Sequence, residues 1–87
     1  MKRTIELRLT RAEGAIVRTL GLIERRGFAV TAISTRSDAS SETLLLRLEV
    51  VSADRSFDVL VRQILRLFDV RAALLMESQQ GDARAAC

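Results

Sequence analysis

Hydrophobic and polar residues alternate over several stretches of the chain, and each stretch predicts a strand. Every second residue from Ile5 to Leu9 is aliphatic, with charged residues between, which predicts a half-buried strand over residues 4–9. Residues 43–51 repeat this alternation, and a short apolar run at residues 70–76 predicts a further strand.

A fourth stretch, residues 28–35, is apolar but changes phase. Phe28 and Val30 share one phase, whereas Ile33 and Thr35 share the other. A β-bulge near Thr31 and Ala32 would supply one extra residue, so that both pairs face the same side of a sheet. This stretch therefore predicts a second strand that contains a bulge.

Between these strands, two stretches carry aliphatic residues at helical spacing. The first follows a Thr-x-x-Glu capping box, Thr10 to Glu13, and closes with Gly27 at the position that favours a glycine C′ residue. Its expected buried face consists of Ile16, Val17, Leu20 and Ile23.

The second helical stretch covers residues 57–68, with Asp54 or Ser56 as the N-cap. Its expected buried stripe consists of Phe57, Leu60, Val61, Ile64, Leu65 and Phe68.

The order of these elements is strand, helix, strand, strand, helix, strand. A βαββαβ order is that of the ferredoxin-like fold, an α+β arrangement with a four-stranded antiparallel sheet and two helices on one face. We therefore expect one domain over residues 1–77, a flexible C-terminal tail over residues 78–87, and a sheet order of 2-3-1-4.

In that order the second strand lies at an edge of the sheet, and no charged residue occurs between Phe28 and Thr35. Soluble proteins usually protect an edge strand with charge, proline or a covering segment. An unprotected edge predicts a homodimer in which this strand pairs with its copy. The expected dimer-edge residues are Phe28, Val30, Ala32 and Ile33.

Charge and length narrow the classes of partner. Fourteen Lys and Arg residues are interleaved with eleven Asp and Glu residues, giving a net charge of +3, which is typical of solvated faces. The predicted central strands carry none of the aromatic residues on which RNA-recognition domains stack bases, so no nucleic-acid partner is expected.

No apolar run is long enough to span a membrane. With Cys87 as the single cysteine, no disulfide framework is possible, and a cytoplasmic location is expected.

Candidate catalytic chemistry is sparse. The chain has no histidine, which excludes Ser-His-Asp and Cys-His arrangements and histidine-based metal sites. Asp54 and Asp58 lie one helical turn apart and could form an acid–base pair, but carboxylates at a helix start also stabilise its dipole. We expect no catalytic residue, metal or cofactor on this chain.

A small-molecule site is more consistent with the pattern. The turn from Thr10 to Ala15 precedes a helix, whose free amides favour an anion such as an amino-acid carboxylate. Gly14 would allow a ligand to approach the backbone. The alternative, which the pattern favours, is that Thr10 and Glu13 cap these amides themselves.

Three stretches of the chain resemble a known family. Residues 13–16 (EGAI) and 20–28 (LGLIERRGF) are similar to the first helix of an ACT domain, in particular that of the small regulatory subunits of acetolactate synthase. Residues 63–70 (QILRLFDV) resemble the end of the second helix in those subunits. The resemblance covers about residues 4–76. Because longer members carry a second domain, the chain is most similar to the short, isozyme-II type.

The resemblance implies a non-catalytic partner of a large subunit that uses thiamine diphosphate, Mg²⁺ and FAD. That enzyme condenses two pyruvates, or pyruvate with 2-oxobutyrate, in branched-chain amino-acid biosynthesis. The small subunit activates it and in many members confers inhibition by valine. The candidates for the face that contacts the large subunit are the outward face of the sheet around Arg8, Arg47 and Glu49 and the exposed faces of the helices. The stoichiometry stays open. A free-standing ACT amino-acid sensor for another enzyme and an RNA-binding ferredoxin-like domain are the alternatives.

The resemblance also places a possible amino-acid effector at Arg11, Gly14, Ala15, Ala29 and Val30. Valine-sensitive relatives carry Asn at the positions of Arg11 and Ala29, and the second Asn reaches the ligand across the dimer. The side chain of Ala29 has no hydrogen-bonding group, whereas Arg11 could form an ion pair with a carboxylate. We therefore expect activation of the large subunit with weak or no valine feedback.

Overall fold

The computed structural model describes residues 1–37 and 42–76, which form a four-stranded antiparallel sheet and two helices. The βαββαβ order and the strand order β2-β3-β1-β4 confirm the expected fold. The elements are β1 (Lys2–Thr10), α1 (Ala15–Arg25), β2 (Ala29–Ser37), β3 (Thr43–Val51), α2 (Phe57–Ile64) and β4 (Val70–Met76). The tail predicted at residues 78–87 lies outside the described residues.

The core lies between the sheet and the helices and is almost entirely aliphatic. The alternation in β1 and β3 brings their inward residues into register, with Leu7 opposite Leu46 and Ile5 opposite Leu48. Phe28 and Phe57 supply the aromatic part of the core, with ring centroids 5.3 Å apart. The buried residues that form this core are Ile5, Leu7, Leu9, Ala15, Leu22, Ile23, Phe28, Leu46, Leu48, Val50, Phe57, Leu60 and Ile64.

The bulge predicted in β2 is confirmed. The register against β3 shifts between Val30 and Ala32, which leaves Thr31 as the extra residue. After the shift, Ile33 lies opposite Leu48, just as Val30 lies opposite Val50 before it. Because both β3 partners face the core, both phases of β2 point to the helix side of the sheet.

The start of α1 differs from the prediction. The helix begins at Ala15, and its N-cap is Gly14 in the left-handed conformation (φ +80°) with no side-chain cap. The predicted capping box is therefore wrong. Thr10 cannot reach a cap position because β1 continues through it: its amide donates to the Asp69 carbonyl at 2.8 Å, and it pairs with Thr43.

The buried face of α1 is also rotated from the predicted one. Ile23 is buried as expected, and Ile16 and Leu20 are half-buried, but Val17 is 72% exposed. Thr19 takes the core position instead and is fully buried. Its hydroxyl donates to the Ala15 carbonyl at 2.9 Å, so the buried polar group is satisfied.

Helix α2 has the predicted start and an earlier end. Ser56 is its N-cap, and the Ser56 hydroxyl accepts from the Val59 amide at 3.2 Å. The helix ends at Ile64, and the chain continues through a turn in which the Leu67 amide donates to the Ile64 carbonyl at 2.9 Å. Because this turn leaves the helical period, Leu65 and Phe68 are exposed, and their predicted burial is wrong.

Candidate functional site

The predicted effector positions occur at two places in the fold, and the first is the β1–α1 loop at the end of β1. Arg11 joins this loop to the neighbouring strands. Its amide donates to the Glu42 carbonyl at 3.0 Å, and its Nη2 donates to the Ser37 hydroxyl at 2.5 Å. The Arg11 guanidinium therefore lies beside the last residue of β2.

Gly14 adopts a backbone conformation that favours glycine, but the space over it is occupied. A Cβ atom at this position would lie 2.8 Å from Nη1 of Arg18. The approach that we predicted for a ligand is thus taken by a guanidinium of the same chain.

Arg18 is held over Gly14 by two groups. Its Nε donates to Oδ2 of Asp69 at 2.7 Å, and its Nη2 forms an ion pair with the same oxygen and donates to the Glu13 carbonyl at 3.1 Å. The Asp69 side chain is only 6% exposed. A buried carboxylate therefore fixes a cation at the start of α1.

Sequence analysis missed Arg18 and Asp69 as parts of this site. The two residues are 51 positions apart, and isolated charges on predicted surface segments are usually solvated. The signal that could have found Asp69 is its place within the segment at residues 63–70 that resembles the family.

Ala15 contributes little side-chain surface to the site. It is the first residue of α1, and its methyl group is buried in the core. Its amide donates to the Ala12 carbonyl at 3.1 Å, so this donor is already engaged within the loop.

Ala29 and Val30 lie at the other end of the sheet. Since β1 and β2 both run antiparallel to β3, they run parallel to each other, and β2 begins where β1 begins. Ala29 is level with Val51 and Lys2, whereas Arg11 contacts Ser37 at the far end of β2. At roughly 3.3 Å per residue, the two halves of the predicted site are about 26 Å apart within one chain.

The four predicted dimer-edge residues differ in accessibility. Ala32 is exposed and Ile33 is 47% exposed, so both side chains are available along the edge. Val30 is half-buried. Phe28 precedes β2 and is buried against Phe57, so it can contribute only its backbone to an edge.

Residues with other candidate chemistry do not converge. Over residues 1–37 and 42–76, no three His, Cys, Asp or Glu residues lie close enough to hold a metal ion. Asp54 and Asp58 are both exposed at the start of α2. In the same part of the chain, no helix has the length and apolar character needed to cross a bilayer.

Residues 11–73 match the family model described as the ACT domain. No curated protein sequence matches the chain.

Among solved structures, the acetolactate synthase small subunit from Thermotoga maritima is similar, with a TM-score of 0.79 and 16% identity. The match covers 93% of this chain and 50% of that one, so the chain spans about half the length of this small subunit. The ACT domain from GTP pyrophosphokinase of Chlorobium tepidum is also similar (TM-score 0.71, 12% identity, covering 87% of this chain and 97% of that one).

A formyltetrahydrofolate deformylase from Pseudomonas putida shares the fold as well, with a TM-score of 0.73 and 13% identity over 92% of this chain and 30% of that one. At these identities the structural matches establish the fold alone. The family model, by contrast, covers most of the chain, including Arg11 and Gly14 of the β1–α1 loop and Arg18 of α1. This protein therefore belongs to the ACT domain family.

Proposed function

We propose that this chain is a non-catalytic regulatory subunit that binds and activates the large, catalytic subunit of acetolactate synthase in branched-chain amino-acid biosynthesis. One observation carries the proposal. Residues 13–16 and 20–28, which resemble acetolactate synthase small subunits, lie on either side of Arg18. The ion pair between Arg18 and Asp69 joins them to the third resembling stretch, residues 63–70, so the resemblance concerns one connected structural unit.

The subunit acts as a homodimer formed through β2. If two copies of β2 pair antiparallel about a centre near Ile33, Ala29 of the second copy lies beside Ser37, which Arg11 contacts. The two halves of the effector site, about 26 Å apart in one chain, then become neighbours. A dimer is therefore needed to complete any effector site that uses both halves.

This site responds weakly or not at all to valine. Ala29 carries no side-chain hydrogen-bonding group, Arg11 is engaged with Ser37, and Arg18 occupies the space over Gly14. An amino acid would have to displace the Arg18 guanidinium from above Gly14. The subunit on this proposal is chiefly an activator of the short, isozyme-II type.

Activation is a matter of binding energy. A subunit shifts the conformational equilibrium of its partner only by its preference for one state. A coupling free energy of about 1–3 kcal/mol corresponds to a change in affinity of roughly 5–150-fold. Thiamine diphosphate, Mg²⁺ and FAD belong to the large subunit in this scheme. We place the complex in the cytoplasm, without nucleic acid or membrane.

The proposal is tested by mixing the chain with purified large subunit from the same organism and measuring the sedimentation of the mixture. A faster-sedimenting complex that saturates with the chain supports it. Two separate boundaries at micromolar concentrations of both proteins contradict it.

A free-standing amino-acid sensor for another enzyme is the second candidate. Its support is that the fold also occurs outside acetolactate synthase small subunits, as in the ACT domain of a GTP pyrophosphokinase, with a TM-score of 0.71. Thermal unfolding separates the two candidates. A sensor should gain melting temperature with one of the twenty amino acids, because a ligand that binds only the folded state stabilises it.

A further inference from the structure

The most exposed large hydrophobic residue among the described residues is Phe68, in the turn between α2 and β4. It is 96% exposed, although the surrounding segment is otherwise tied to the core. Exposed aromatic residues in ordered positions frequently mark binding surfaces, and aromatic side chains are enriched among the residues that dominate binding energy.

The turn that carries Phe68 is fixed on both sides. Before it, Leu67 packs against the core, and its amide donates to the Ile64 carbonyl at 2.9 Å. After it, Asp69 is buried, and its carbonyl accepts from the Thr10 amide at 2.8 Å. Phe68 therefore cannot turn inward without breaking these bonds, and the backbone that carries the ring is already ordered, which lowers the entropic cost of binding.

The surroundings of Phe68 combine apolar surface with positive charge. Leu65 is also exposed, and Arg62 and Arg66 lie on either side of it in the sequence. Neither arginine forms an ion pair within residues 1–37 and 42–76. We call Arg62, Leu65, Arg66 and Phe68 the Phe68 patch.

We propose that the Phe68 patch docks on the large catalytic subunit, with the Phe68 ring in an apolar pocket that is edged by carboxylates. This inference rests on the proposed function and names the contact face that the sequence left open. The carboxylates at the edge of such a pocket would form ion pairs with Arg62 and Arg66. Charges at the rim of an interface chiefly raise the association rate.

The same charges argue against a second copy of this chain as the occupant. In a twofold interface the same surface meets itself, so the arginines of one patch would lie near those of the other. A lipid surface fits less well, because membrane-surface helices present a long apolar face. Here the apolar residues Phe57, Leu60 and Ile64 of α2 face the core.

The test compares Phe68→Ala with Leu74→Ala for binding to the purified large subunit by isothermal calorimetry. Leu74 is a matched control because it is an exposed apolar residue (57%) on β4, on the sheet face away from the helices. We expect Phe68→Ala to raise Kd at least about tenfold and Leu74→Ala to leave it unchanged. Both variants should have the melting temperature of the wild type, since neither side chain is in the core.

A double variant, Arg62→Glu with Arg66→Glu, should also weaken binding and reduce its dependence on salt. If the wild type binds and Phe68→Ala binds equally well, the patch is not the docking surface, although the proposed function stands. If the wild type does not bind the large subunit, the proposed function and this inference both fail.

Two further outcomes would overturn the inference in favour of another occupant. One is a loss of self-association in Phe68→Ala by sedimentation, which would assign the patch to a second copy. The other is Phe68-dependent binding of the chain to vesicles of phosphatidylcholine with anionic phosphatidylglycerol, without an effect of Phe68→Ala on the large subunit.

Discussion

Arg18 and Asp69 form an ion pair at 2.7 Å between residues that are 51 positions apart in the sequence. The pair joins the first turn of α1 to the turn between α2 and β4. It also places a guanidinium over Gly14, where a ligand would otherwise approach. One contact thus links α1 and the resembling segment at residues 63–70 to the loop in which an effector is expected.

Removing Arg18 should destabilise the fold more than removing the charge of Asp69. Arg18→Met leaves the Asp69 carboxylate buried, and within residues 1–37 and 42–76 no other side chain donates to it. We expect a loss of about 1–3 kcal/mol in the free energy of unfolding, measured by urea denaturation. Asp69→Asn should cost less, because the half-exposed Arg18 can turn to solvent. The opposite order of stability would show that the carboxylate is not effectively buried.

Gly14 and Gly21 should respond to alanine with opposite signs. Gly14→Ala forces a left-handed residue against the Arg18 guanidinium and should cost about 1–2 kcal/mol. Gly21 lies within α1, and a Cβ there meets only the movable Arg25 side chain, at 3.3 Å. Gly21→Ala should therefore stabilise the protein by up to about 1 kcal/mol. Thermal unfolding of the two variants beside the wild type checks the pair, and equal losses would contradict this account of Gly14.

Dimerisation through β2 predicts that Ile33→Lys yields monomers by sedimentation equilibrium. The isolated subunit should tolerate this change, because Ile33 is already half-exposed and a lysine can extend to solvent. Leu74→Lys, on the opposite edge strand, is the matched control and should remain dimeric. If only the Leu74 variant dissociates, the edge used is β4.

Valine sensitivity should require two changes at once. Arg11→Asn and Ala29→Asn together supply the side chains found in valine-sensitive relatives, and on our proposal these residues meet only across the β2 dimer. We expect valine to raise the melting temperature of the double variant but not that of either single variant. A valine response in Ala29→Asn alone would show that Arg11 already serves as a ligand for the carboxylate.

The strands and their order could be predicted closely from the sequence, because alternation is a direct consequence of one buried face. The limits of β3 and β4 match the predicted ones, and the phase change in β2 located the bulge at Thr31. The ends of the helices were harder to predict. Phe68 has the spacing of a core residue in α2. Because its hydrophobicity is the same whether the ring is buried or exposed to solvent, the sequence pattern does not distinguish the two cases.

The candidate site could be predicted only in part. Arg11 and Gly14 lie in the expected loop, but the occupant of the space over Gly14, the Arg18 guanidinium, is held there by Asp69, which is distant in the sequence. Periodicity cannot show which distant charge will be buried. That Arg11 and Ala29 lie at opposite ends of one sheet could be predicted, because it follows from the expected strand order.

The central claim is tested most directly by the rate of acetolactate formation by the same organism's large subunit, with and without this chain, each with and without valine. We predict that the chain raises the rate in a saturable manner and that valine does not reverse the increase. An increase that valine abolishes would contradict the inferred loss of feedback. No change in rate at a saturating concentration of the chain would contradict its role as the activating subunit.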